Sequence, residues 1–144
     1  MELMKNIERL ILKKICNDES FARKTLPFVK PDYFEGHERI AYDLILNFIT
    51  NYNTLPSKST LQVEFVNSAK NTENNQEVLD IINDCIIDEK VDEKWMLEHT
   101  ESWCKERAVF LGIMKSIQIM DGKEQDLTTG SIPDILQKAL QVNF

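Results

Sequence analysis

Apolar residues recur at helical spacing along nearly the whole chain. Leu3, Ile7, Leu10 and Ile11 fall three or four apart and predict a first helix over 2–16, with Lys13 and Lys14 favourably placed near its C-terminal end. Asn17 or Asp18 can cap a short second helix, ESFARKTL, which Pro27 ends. A turn at Pro31 and Asp32 leads to a third helix, on which His37, Ile40, Ala41, Leu44, Ile45, Phe48, Ile49 and Tyr52 trace one face. Ser57 caps a fourth, with Leu61, Phe65 and Ala69 inward, and the polar run NSAKNTENNQ over 67–76 reads as a loop. Val78, Leu79, Ile81, Ile82, Cys85 and Ile86 mark a fifth helix.

Over 92–120 no proline occurs and only Gly112 interrupts the helical pattern. A continuous helix there would run about 43 Å, against a radius of gyration of about 13 Å for a domain of roughly 100 residues, so it either breaks or protrudes. On its later part, VFLGIMKSIQIM, the residues Val109, Phe110, Ile113, Met114, Ile117 and Met120 span about 140° of the circumference, with Leu111 and Ile119 outside that arc. Ser131 with Asp134 approximates a capping box and Pro133 suits a first turn, so a last helix begins there, striped by Ile132, Ile135, Leu136, Ala139, Leu140 and Val142. The short, turn-rich DGKEQDLTTG between the two predicts an antiparallel helical hairpin. Stripes this wide bury more completely against a second copy. The expected self-association surface is therefore Val109, Phe110, Leu111, Ile113, Met114, Ile117, Ile119 and Met120, with Ile135, Leu136 and Leu140 from the last helix.

Composition narrows the class. With 144 residues, 42% of them apolar, the chain suits one domain with a real core. Only four Gly and four Pro, 28% charged residues and no strand alternation point to an all-α fold. Cys16, Cys85 and Cys104 are odd in number, widely spaced and without a CxxC pair, which argues against a disulfide framework or zinc site and fits a reducing cytoplasm. No signal peptide or membrane-spanning run is apparent, so no membrane role is expected.

Charge is uneven. Residues 1–72 carry 10 basic and 9 acidic side chains, whereas 73–144 carry 7 and 15. An acidic half repels phosphates, which counts against nucleic-acid binding as the main role. Ten acids against Lys90 and Lys94 over 73–101 form the strongest one-signed surface, either a solvated face or a partner-docking patch centred on Asp80, Asp84, Asp88 and Glu89.

Catalytic motifs are missing. There is no GxxxxGK[ST], GxGxxG, GxSxG or HExxH, His37 and His99 have no cysteine nearby, and the clustered carboxylates lack a histidine or a spaced second cluster. No catalytic residue, cofactor or metal site is expected. Trp95 and Trp103, eight apart, suit core or interface anchors, since base stacking would need basic neighbours that are scarce here.

The series PDYF, HERIAYDLI and NYNTLPSKSTL resembles the N-terminal domain of the DnaB-type hexameric replicative helicases. EHTESWCKERAVF, including Glu106, Arg107, Ala108 and Phe110, and GSIPDILQKALQVNF resemble the hairpin segments of those from large tailed phages. The resemblance implies a globular helical head over 1–90 followed by a protruding antiparallel helical hairpin over 91–144, and dimers arranged three to a ring, as a collar that primase and helicase-loading proteins contact. It also implies a motor domain elsewhere, holding ATP and magnesium, and hence that this chain is a piece of a longer protein. The rival expectation is a stand-alone regulator that binds a replicative helicase by imitating its collar.

Overall fold

The computed structural model describes residues 2–68, 75–85 and 92–144, the side chains of 2–5 and 75 excepted. Among the described residues there is no strand. The first helix, α1 (Glu2–Asn17), fully buries Ile11, Leu12 and Ile15, positions that share one face by the helical repeat. Of the two expected caps for α2 (Glu19–Thr25), Asp18 serves: its carboxylate accepts the Phe21 N–H at 3.1 Å. Asn17 instead ends α1, and its amide donates to the carbonyls of Lys13 and Cys85, each at 2.7 Å, tying α1 to a later helix.

The third helix, α3 (Gly36–Tyr52), is rotated from the expected face. Glu38, Ala41, Tyr42 and Ile45 are buried, Ile40, Leu44 and Ile49 are partly covered, and Tyr52 is exposed. Tyr42 causes the difference: its ring stacks on Phe34 at 4.5 Å and its hydroxyl donates to the Val29 carbonyl at 2.6 Å. A tyrosine whose hydroxyl finds a partner is as good a core residue as phenylalanine. In α4 (Lys58–Asn67), Ser57 Oγ accepts the Thr60 N–H at 3.1 Å and Leu61 and Phe65 are fully buried. In α5 (Asn75–Cys85), Val78, Ile81, Ile82 and Cys85 point inward. Ala69, Ile86 and most of the expected 67–76 loop lie outside the described residues; Asn67 belongs to α4 and Gln76 to α5.

The expected long helix is one unbroken element, α6 (Glu93–Met120), of 28 residues and about 42 Å. Asp92 caps it by accepting the Trp95 N–H at 2.9 Å. Its first half is core: Met96, Trp103, Cys104 and Ala108 belong to the same buried cluster as the inward residues of α1–α5. Trp103 meets the ring of Tyr33 edge-on at 6.0 Å and that of Phe34 at 4.8 Å. Trp95 is exposed and stacks on His99 at 3.9 Å. Eight residues overshoot two full turns by about 80°, enough to put one tryptophan in the core and leave the other outside.

The second half of α6 carries α7 (Ile132–Leu140), entered through a single 3-10 turn, Thr129–Ser131. The expected capping box does not form. Ser131 is already in helical conformation, its hydroxyl makes no cap bond, and Asp134 pairs instead with Lys138 at 3.1 Å. Close approach of the two helices rests on Gly112, where a Cβ would stand 3.3 Å from Ala139 Cβ and 3.5 Å from Leu136 Cδ2. Beyond α7 the chain returns to the other helices. The Phe144 N–H donates to Glu101 Oε2 at 2.6 Å, and its ring stacks on Phe28 at 4.9 Å.

Candidate interaction surface

Around α6 beyond Ala108, residues divide by angle. Gly112 lies against Ile135, Leu136 and Ala139 of α7, and on this side Ser116 and Ile119 are also buried. Positions 110, 113, 114, 117 and 120 fall on the other side by the helical repeat. There Phe110 is 46% exposed, Ile113 47%, Met114 41%, Ile117 46% and Met120 71%. About half of each of five large side chains faces solvent, roughly 400–500 Å² if each offers about 200 Å². A contiguous apolar patch of this size is comparable to the largest on a typical soluble monomer, and such patches are often functional.

The other residues expected on this surface divide. Val109, Leu111, Ile135 and Leu136 are partly covered within the chain, Leu140 is 71% exposed at the edge of α7, and Ile119 is only 5% exposed. Ile119 therefore stabilises its own chain and is not available to a partner, a difference from the sequence expectation. The helical repeat already puts it outside the arc, about 150° from the stripe centre, and that is the side on which Gly112 meets α7.

One residue joins this surface to the core. Arg107 is buried; its Nε donates to the Tyr33 carbonyl at 2.6 Å, and its terminal nitrogen pairs with Glu35 Oε1 at 3.0 Å. Its guanidinium carbon stands 4.8 Å from the Phe110 ring centroid, so the first residue of the stripe rests on a cation held by the core. Sequence reasoning noted Arg107 only within a motif; an arginine one turn before an apolar run is the signal it could have used. Behind it lie two buried carboxylates, Glu8 of α1 and Glu38 of α3. Arg9 Nε reaches Glu38 Oε1 at 3.3 Å while Glu38 Oε2 has no partner. Burial, then the Glu38 charge, push the Glu8 carboxyl up to about 7, against a smaller opposing pull from Arg107.

Of the acidic docking candidates, Asp80 and Asp84 are exposed on α5, and Gln76 donates to Asp80 Oδ1 at 2.9 Å. Asp88 and Glu89 lie outside the described residues. His37 contacts Glu77 at 2.7 Å, so the third helix and the acidic fifth are linked through it. The three cysteines are free and buried, and burial pushes the Cys104 thiol up to about 12, where it is a packing residue rather than a nucleophile. Among the described residues no group of His, Cys, Asp and Glu is arranged to hold a metal ion. No helix among them is long and apolar enough to cross a membrane.

The chain matches no protein-family profile. It is similar to the DnaB-like replicative helicase of Enterobacteria phage T4, at 28% identity over 144 aligned residues that cover 94% of this chain and 30% of that protein. An all-α chain thus spans less than a third of the length of the relative it matches, and is related in sequence to a DnaB-like replicative helicase.

Proposed function

We propose that the chain is the N-terminal assembly and docking domain of a replicative DNA helicase of a tailed phage. In this reading it performs no reaction. Copies join through the open face of α6, and the acidic face around Asp80, Asp84, Asp88 and Glu89 receives primase or a helicase loader. ATP and magnesium belong to a motor domain elsewhere in the longer protein.

The observation that carries the reading is the relation to a helicase across 94% of this chain and only 30% of that protein, the footprint expected of one domain. The open stripe supports the assembly part. A standard interface covers about 800 Å² per partner, and homodimer interfaces are about 65% apolar, so the apolar core needed is roughly 500 Å². The five exposed side chains of α6 supply about that. Their spacing is self-complementary, as a twofold contact requires, because one helix face can pack against its own copy.

The reading frame beyond the codon for Phe144 tests the identity. A frame that continues into a GxxxxGK[ST] phosphate-binding loop is the expected result. A stop codon at that point overturns the helicase assignment and favours the stand-alone regulator.

A further inference from the structure

Beside the open stripe, and separate from the acidic face of α5, a groove of about 560 Å³ runs between the loop before α3, the later part of α6, and α7. Its floor is apolar, with Tyr33, Leu111, Ile135 and Val142 among the lining residues. Four cations line it as well, Lys30 before α3 and Arg39 within it, Lys115 of α6 and Lys138 of α7, with Asp32 the one acid among the lining residues. The net charge of the chain is -7, yet four cations and one acid line this groove.

Three of the four cations have acidic neighbours. Arg39 meets Asp32 at 2.8 Å, Lys115 meets Glu124 at 2.7 Å, and Lys138 meets Asp134 at 3.1 Å. The Arg39 and Lys138 pairs are solvent-exposed and of small net value, so an incoming carboxylate can share or displace them at little cost, while the Lys115 pair is half-buried. The cations come from four separate stretches of the chain, the loop before α3, α3, α6 and α7, rather than from one cluster such as a small anion would need. They share the groove with its apolar lining residues. That arrangement matches a helix with an apolar stripe bordered on both sides by acids.

We infer that this groove docks an acidic amphipathic helical segment of a partner protein, with its apolar stripe on the floor and its carboxylates against Lys30, Arg39, Lys115 and Lys138. A nucleic acid fits less well, because the surrounding charge is negative and the floor offers no open aromatic face: Tyr33 is buried. The site does not depend on the helicase reading or on association of copies.

The test uses the whole chain and two fluorescent helical peptides, each with leucines along one face and either glutamates or lysines elsewhere. Fluorescence anisotropy should show saturable binding of the glutamate peptide that weakens with added salt, and no comparable binding of the lysine peptide. Lys115→Glu together with Lys138→Glu should weaken it by about tenfold or more, with helicity and the sedimentation behaviour of the chain unchanged. Absence of saturable binding, equal binding of the lysine peptide, or an unchanged affinity in the double variant would each overturn the inference. Displacement of the glutamate peptide by a short single-stranded oligonucleotide at lower concentration than by unlabelled peptide would also overturn it, in favour of a nucleic-acid site.

Discussion

Replacing Ile113 and Ile117 together by glutamate attacks the proposed copy-to-copy contact at the middle of the open stripe, on the face turned away from α7. Each isoleucine is close to half exposed, 47% and 46%, so burial against a second copy would recover about half of what full burial yields. Full burial of such a side chain is worth about 1.5–3 kcal/mol, so each residue contributes about 0.7–1.4 kcal/mol per copy. In a twofold dimer the double substitution removes four such contributions, about 3–6 kcal/mol, or a factor of roughly 10² to 10⁴ in the association constant. Carboxylates placed in the apolar contact add to the loss. Sedimentation equilibrium of parent and variant at matched concentrations reads the constant directly. Far-ultraviolet dichroism should show equal helicity, because both positions sit on the outer face of a helix and glutamate is a good helix former. An unchanged association constant in a folded variant would refute the assignment of the stripe.

Three further outcomes are expected. Glu8 holds its proton more tightly folded, at about 7 against an ordinary 4.5, so its contribution to stability is complete below about 4.5 and is lost as pH rises through 7. Urea midpoints should fall by an amount equivalent to about 1–3 kcal/mol between pH 5 and 8, and Glu8→Gln should flatten that fall; an identical slope would remove the buried acid as its source. Gly112→Leu cannot fit where a bare Cβ would already stand 3.3 Å from Ala139, so α7 should be displaced at a cost of about 1–3 kcal/mol, partly offset by better helix propensity. Hydrogen exchange over 132–140 should speed up, and unchanged protection would contradict the packing. Asp80→Lys with Asp84→Lys should weaken binding of the primase or loader from the same genome and alter its salt dependence; calorimetry showing equal affinity and salt response would remove α5 as the docking face.

Much of the helical layout was legible because local signals agreed with the fold. Asp18 and Ser57 cap where their side chains can reach backbone N–H groups, and the lack of proline over 92–120 does permit one long helix. The misplaced features share a cause: tertiary contacts overrode the helical pattern. Tyr42 enters the core because Val29 supplies a carbonyl 13 residues away, which no periodicity announces. Ser131 stays uncapped because a 3-10 turn has already begun the helix. The first half of α6 reads as a charged segment, yet Met96, Trp103 and Cys104 knit it into the core with α1–α5, while its many acids and lysines occupy the outer side. The stripe residues were legible as a set, but which of them face α7 was not, since that depends on Gly112 fixing the angle of approach.

The most direct test of the central claim is the distance between two copies measured at the stripe itself. Gln118 is exposed on α6 beside it, and the three native cysteines are buried, so a nitroxide on Gln118→Cys labels one place. Helices packed face to face lie about 8–10 Å apart. Double electron–electron resonance should therefore give a narrow short intercopy distance that disappears when unlabelled chain is added in excess. A decay with no intercopy component, at concentrations where sedimentation shows dimers, would place the contact elsewhere and contradict the account.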